Sequence, residues 1–178
     1  REFWTPKFIN KVLACGFKTK LIDILDPAQF ANLCHEKNVK IIHMNRFNKV
    51  KAVISKINAK QLYDKSGYWN LYQEEDRVPP KLFEISSVDE LIKEREKLDR
   101  ELSDYVLELN LPTLKVTYEE LLLDKEKILK KVFEFLNVPV KPVETKTIKH
   151  TDDDLRKVIL NFEELKNHYV ETPYFEMF

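Results

Sequence analysis

The chain has 178 residues, and its 30 Lys and Arg balance its 30 Asp and Glu. The length suits one domain, 1–178, with its own core. Balanced charge provides no overall field to attract nucleic acid or an acidic membrane, so an anionic ligand needs a local cluster. No stretch approaches the roughly 20 apolar residues of a membrane span. Cys15, Cys34 and the four histidines lack metal-ligand spacing, so we expect no metal. Two cysteines without an evident pairing suit a cytoplasmic protein.

The first half of the chain predicts two strand–helix units. Residues 16–24, GFKTKLIDI, alternate apolar and polar residues as a strand does, and Asp26 and Pro27 suit the cap and first residue of a helix. Residues 38–45, NVKIIHMN, predict a strand buried on both faces. Residues 47–63 carry apolar side chains at helical intervals, and we expect that helix to open at Asn48.

The second half predicts a long irregular segment and a third unit. Gly67, Pro79 and Pro80 indicate a loop over residues 64–86. Residues 87–110 predict a long amphipathic helix whose dense charges we interpret as a solvated surface. A strand after Pro112 and a helix over residues 125–138 follow.

Two capping pairs close the chain, and the overall order of elements predicts the fold class. Thr151 with Asp154, and Asn161 with Glu164, predict short C-terminal helices. Alternating strands and helices predict an α/β fold with a parallel sheet flanked by helices. In such sheets ligands bind at the carboxyl ends of the strands.

Arg46 stands where a strand ends, at the predicted binding edge of the sheet. Its guanidinium can bind an anion there in a bidentate manner; alternatively, it is a surface arginine paired with a carboxylate. Asn48 and Ser55 are seven residues apart, so they share a helix face with Ala52. Small residues on that face let a ligand approach; alternatively, they allow tight packing, with Ser55 bonded to a carbonyl of its own helix.

Three segments together carry a family resemblance: KIIHMNRFNKVKAVIS, LPTLKVTYEELLLDKEKILKKVFEFLNV and TIKHTDDDLRKVILNFEELKNHYVETPYFEM. In order and spacing they resemble the later two thirds of a sulfotransferase, and they are most similar to bacterial carbohydrate sulfotransferases of the nodulation-factor type. The resemblance covers residues 16–178. It implies the sulfotransferase fold, which is related to that of P-loop nucleotide-binding proteins, and 3′-phosphoadenosine 5′-phosphosulfate (PAPS) as co-substrate.

The resemblance also implies roles for particular residues. Arg46 and Ser55 match the arginine and serine that bind the 3′-phosphate of the nucleotide, and Tyr118 matches a tyrosine near the adenine. The stretch KTIKHTDDDLR resembles the family's basic loop over the nucleotide, with Lys146, Lys149 and His150 as its candidates. GFKTKL matches the second strand of the family. Lys18 and Lys20 are then candidates for stabilising the transferring group, or else two solvent-facing lysines between buried neighbours.

One expected motif has no counterpart in the sequence. Sulfotransferases open with a strand and a loop rich in Ser, Thr and Gly, whose backbone amides bind the 5′-phosphosulfate. The two glycines, Gly16 and Gly67, lie outside any such loop. Either the strand–loop–helix lies upstream of Arg1, as the missing initiator Met suggests, or the protein lacks it.

Residues 63–72 contain three tyrosines and Trp69. Flat rings stack on sugars, so Tyr68 and Trp69 are candidates for contacting the acceptor; the alternative is core or loop packing.

The sequence therefore predicts a sulfotransferase that passes a sulfuryl group to a hydroxyl, on a small molecule or glycan. No residue is assigned as the base, since His43 lies inside a strand. The alternatives are a non-catalytic relative that serves as a nucleotide-binding or interaction domain, and a nucleotide-dependent kinase, which the absence of GxxxxGK[ST] disfavours.

Overall fold

A computed structural model describes residues 12–178, which form a mainly helical α/β structure with a parallel sheet. The helices are α1 (Pro27–Glu36), α2 (Lys49–Ser66), α3 (Ile85–Glu108), α4 (Tyr118–Leu123), α5 (Lys125–Leu136) and α6 (Phe162–His168), and the strands are β1 (Ile41–Asn45) and β2 (Thr113–Thr117). Turns of 3-10 helix lie at Leu21–Asp23, Glu74–Asp76, Leu155–Lys157 and Phe175–Met177. The α/β class is confirmed.

The chain divides into two compact units. The first contains the described residues up to Asn45 together with Arg100–Pro142, and the second contains Arg46–Asp99 and Val143–Phe178. That residues 1–178 form one sulfotransferase-like domain stays a prediction.

The sheet belongs to the first unit. β1 and β2 pair in parallel, with Ile41 opposite Thr113 and Asn45 opposite Thr117, so both strands end at the same edge. In the described residues the sheet has these two strands. His43 and Val116 are buried, but Ile42 and Met44, on the other face of β1, are 39% and 43% exposed. The prediction that this strand is buried on both faces is therefore wrong.

The helix starts follow the capping chemistry of the sequence. Asp26 accepts a hydrogen bond from the Gln29 amide at the start of α1, with Pro27 as the first helical residue. Thr117 and Glu120 form a reciprocal capping box at the start of α4. These side chains satisfy amides that have no partner inside the helix, and both helices begin where the local sequence favours them.

Asparagine residues in left-handed conformation follow three of the helices. Asn38, Asn110 and Asn137 have φ angles of 49°, 47° and 60° and follow α1, α3 and α5. Asparagine tolerates this region better than other non-glycine residues. Gly67 has the same role after α2, with φ of 75°.

Two predicted elements are absent. Residues 16–20 have no regular structure, and Leu21–Asp23 form a 3-10 turn, so the predicted strand over 16–24 is wrong. No helix starts at Thr151. A 3-10 turn begins at Leu155 instead, capped by Asp154, and the prediction of a helix there is also wrong. The predicted helix after Asn161 is confirmed as α6.

The core of the second unit lies between α2, α3 and the C-terminal segments. Its buried residues include Val50 and Ile54 from α2, Ile92 from α3, Leu165 from α6 and Tyr169. A smaller buried cluster contains Leu62, Leu71 and Val78. The loop between α2 and α3 is thus attached to the end of α2 by its own apolar residues. Packing of this kind fixes the orientation of α2, which carries the candidate nucleotide-binding residues.

Candidate nucleotide and acceptor site

Arg46 and Ser55 lie at the start of α2, as the sequence predicts. Arg46 follows β1 directly in the chain, Asn48 is the N-cap of α2, and Ser55 is in the second turn. Arg46 and Ser55 are both half-buried. The side chain of Asn48 accepts a hydrogen bond of 2.7 Å from the Lys51 amide. The predicted boundary between strand, arginine and helix is therefore confirmed.

The start of α2 is held by further contacts from within the second unit. The side-chain amide nitrogen of Asn48, Nδ2, donates to the backbone carbonyl of Met177 at 2.7 Å. The backbone N–H of Lys49 donates to the Met177 sulfur at 3.3 Å. The Lys49 ammonium donates to the Arg46 carbonyl at 2.8 Å and to Asp99 at 2.6 Å. The segment from Arg46 to Lys49 is thus held by Met177 near the C-terminus and by the Lys49 side chain, which bonds to the Arg46 carbonyl.

Within the candidate basic stretch, residues 146–156, the segment 146–151 reaches α2 one turn beyond Ser55. Asn58 lies three residues after Ser55 on the helix, and its Nδ2 is 3.5 Å from the hydroxyl oxygen of Thr151. Asn58 and Thr151 are 2% and 5% exposed. Both residues of this contact have a neighbour among the candidate site residues. Ser55 lies one turn before Asn58 on α2, and His150 directly precedes Thr151 in the chain.

Arg77 attaches the same loop to the preceding irregular segment. Its guanidinium donates to the carbonyls of Lys149 and His150 at 3.0 and 2.7 Å, and to the carboxylate of Glu74 at 2.5 and 2.9 Å. The Ile148 amide donates to the Leu71 carbonyl at 2.8 Å. Together these bonds fix the backbone of residues 148–150.

The three candidates in this loop differ in their surroundings. Lys146 is exposed. Lys149 is ion-paired with Asp153, so its charge is already partly compensated. His150 is half-buried, and burial, together with the nearby charge of Arg77, lowers the pKa of its imidazole. We therefore expect a neutral ring at pH 7.

Buried polar atoms mark both sides of the contact between α2 and the loop. The Oδ1 of Asn58 and both ring nitrogens of His150 are buried and have no hydrogen-bond partner among the described residues. Buried polar groups of folded proteins are almost always hydrogen-bonded. The contact between α2 and the loop therefore leaves three buried polar atoms without a hydrogen-bond partner among the described residues.

An exposed aromatic surface lies at the end of α2. Its members are Tyr63, Tyr68, Trp69 and Tyr72, which are 41% to 64% exposed. The rings of Tyr63 and Trp69 stack with centroids 4.5 Å apart and 17° between their planes. The Ser66 hydroxyl donates to the Leu62 carbonyl and accepts from the Tyr68 amide, which supports the turn at Gly67. These rings do not belong to the core, although the Tyr63 and Trp69 stack does attach the loop.

Tyr118, Lys18 and Lys20 belong to the first unit. Tyr118 is the first residue of α4 and is half-buried. Lys18 and Lys20 are exposed on the irregular segment where a strand was predicted, and Phe17 beside them is 49% exposed. The alternative of two lysines between buried neighbours is therefore wrong for Phe17, and the strand that the family resemblance places here does not form.

Sequence reasoning missed three residues that organise the site: Asn58, Arg77 and Asp99. Asn58 is a polar residue at an apolar position of the α2 pattern, and that mismatch was a usable signal. Arg77 and Asp99 act on partners about 50 to 70 residues away, so no local pattern marks them. The sequence predicts that Asp99 is part of a solvated charged surface, but its side chain is only 16% exposed.

Comparison with protein-family models, with curated proteins and with solved structures finds no match for the chain. Within residues 12–178 no helix has the length and apolar character to cross a membrane. The same residues contain no group of three or more His, Cys, Asp or Glu side chains placed to hold a metal ion.

Proposed function

We propose that the chain is part of a sulfotransferase that binds the 3′-phosphate of PAPS at the start of α2. The observation that carries the proposal is the sequence of β1, Arg46 and a helix that is capped by Asn48 and presents a half-buried Ser55. A guanidinium at the end of a parallel strand and a hydroxyl two turns into the next helix are suitable donors for a phosphate.

The loop of residues 146–151 supports the same assignment. Its contact with Asn58 brings it to the helix face that carries Ser55. The Oδ1 of Asn58 and the ring nitrogens of His150 are buried without a hydrogen-bond partner among the described residues, so a local opening of the loop would expose them to a ligand of matching polarity. Lys146 and Lys149 then supply positive charge near the nucleotide. For Lys149 this requires that the nucleotide phosphate replaces Asp153 as its ion-pair partner. For Tyr118, which belongs to the first unit, the contact with the adenine stays a prediction from the family resemblance.

PAPS supplies the sulfuryl group, and the acceptor supplies a hydroxyl. The residues of this chain bind and orient the nucleotide, because in transfers of this kind positioning and electrostatic stabilisation provide most of the rate enhancement. The exposed aromatic surface suits a carbohydrate acceptor: sugar rings have apolar faces that stack on Tyr and Trp, and Tyr68 and Trp69 are 64% and 53% exposed. Lys18 and Lys20 stay candidates for the transferring group.

The test compares nucleotides that differ in the 3′-phosphate alone. Titration calorimetry of 3′-phosphoadenosine 5′-phosphate and of AMP should give tighter binding of the first. Arg46→Ala should weaken it by about tenfold to a hundredfold and Ser55→Ala by about fivefold, because hydrogen bonds to charged groups contribute roughly 1.5–3 kcal/mol and neutral bonds about 1 kcal/mol.

Both variants should leave AMP affinity and the circular dichroism spectrum nearly unchanged. Equal wild-type affinity for the two nucleotides would refute the proposal. So would an Arg46→Ala variant that loses both ligands to the same degree, because Arg46 would then support the fold and not the phosphate.

A further inference from the structure

Lys49 is a cation in the first turn of α2, where the helix dipole disfavours positive charge. Its side chain is only 14% exposed. The ammonium lies between two acceptors, the carbonyl of Arg46 at 2.8 Å and the carboxylate of Asp99 at 2.6 Å. The Asp99 carboxylate therefore compensates the charge of Lys49 at this unfavourable position. Through the Lys49 ammonium, Asp99 is also connected to the backbone carbonyl of Arg46.

Asp99 is held in turn by its own helix. Arg95, one turn earlier on α3, donates to both carboxylate oxygens at 3.0 and 2.9 Å. The carboxylate thus accepts from two cations and is fixed in orientation. We call Lys49, Arg95 and Asp99 the Asp99 cluster. It connects α3 to the backbone carbonyl of Arg46, the candidate phosphate-binding arginine.

We propose that Lys49 and Asp99 are positioning residues: they fix the backbone at Arg46 and thereby direct its guanidinium toward the nucleotide 3′-phosphate. The direction of the guanidinium toward the 3′-phosphate rests on the proposed function. The physical reason is that a bidentate arginine contact requires a narrow range of backbone and side-chain geometry. The hydrogen bond to the Arg46 carbonyl removes freedom at that point before the ligand arrives.

The chain offers a matched control on the same two helices. Lys56 of α2 and Glu94 of α3 form an ion pair at 2.7 Å, but their side chains are 55% and 51% exposed. Lys56 is two turns beyond Lys49. Glu94→Gln removes an ion pair between α2 and α3 without touching the turn at Arg46.

The first measurement is amide hydrogen exchange of the free protein over residues 46–52. Asp99→Asn keeps the shape of the side chain but removes its charge, so exchange in the first turn of α2 should accelerate on the order of threefold to tenfold. Glu94→Gln should leave that turn unchanged. If Asp99→Asn does not accelerate exchange there, or if Glu94→Gln does so equally, the positioning role is refuted. Lys49→Met, which keeps an apolar stem, gives a second variant should Asp99→Asn fold poorly.

The second measurement is the ratio of affinities for 3′-phosphoadenosine 5′-phosphate and AMP. Asp99→Asn should reduce this ratio about threefold to tenfold in the wild-type background, and it should cause no further reduction when Arg46 is already alanine. A lower melting temperature with an unchanged ratio means that the cluster is only structural. If the wild type shows no preference, the proposed function fails by itself, and the exchange result alone decides whether the cluster fixes the turn.

Discussion

Replacing Arg77 with alanine should release the 146–151 loop from its anchor. The guanidinium makes two hydrogen bonds to loop carbonyls, at Lys149 and His150. At about 1.5 kcal/mol for each bond from a charged donor, their loss amounts to roughly 3 kcal/mol. The side chain is 33% exposed, and water will replace part of the interaction, so we expect about 2 kcal/mol of local destabilisation.

The assay is hydrogen exchange of the Ile148 amide, which donates to the Leu71 carbonyl and reports opening of the loop. A loss of about 2 kcal/mol corresponds to roughly thirtyfold faster exchange where closing is fast. Glu74→Gln is the control, because it removes the ion pair at Glu74 and leaves the carbonyl bonds in place. If the control accelerates exchange as much as Arg77→Ala, or if Arg77→Ala changes nothing, the carbonyl bonds do not hold the loop.

Two further predictions concern the histidine and the aromatic surface. Burial, and after it the charge of Arg77, lowers the pKa of His150. Below about pH 6.5 the histidine of the unfolded chain takes up a proton more readily than that of the folded chain, so the stability of the wild type should decrease as the pH is lowered through this range. His150→Gln should flatten the melting temperature between pH 7.5 and 5, and parallel profiles would contradict this. Trp69→Ala should raise KM for a sugar acceptor and leave nucleotide affinity nearly unchanged, with only a small fall in melting temperature from the lost stack on Tyr63, because Trp69 is 53% exposed. A joint fall of melting temperature and nucleotide affinity would show that Trp69 is packing.

Helix boundaries could be predicted because their causes are local. Asp26 and Asn48 accept hydrogen bonds from amides three residues ahead, and the apolar residues of α2 recur at helical intervals within one stretch of sequence. The start of α2 therefore followed from about ten residues of sequence. The position of Arg46 relative to β1 followed from the same stretch.

The strand predicted over residues 16–24 failed for the opposite reason. Alternation shows that a segment suits a sheet, but a strand also needs a neighbour that accepts its hydrogen bonds. This segment pairs with no strand among the described residues, and Phe17 instead makes an edge contact with Phe30, with ring centroids 6.3 Å apart. Similarly, Thr151 looked like a helix cap, but its hydroxyl lies beside Asn58, 93 residues away. Such contacts depend on tertiary structure that no short window contains.

The asparagines that follow α1, α3 and α5 affect the unfolded chain as well as the folded one. Glycine is the commonest residue at such positions, yet this sequence has only 2 glycines in 178 residues. Each asparagine accepts strain of roughly 1 kcal/mol in the left-handed region. In return, its side chain restricts the backbone of the denatured state, so less conformational entropy is lost when the helix ends form. Compared with glycine, asparagine makes the left-handed conformation at these helix ends less favourable, but it also reduces the number of conformations of the denatured chain.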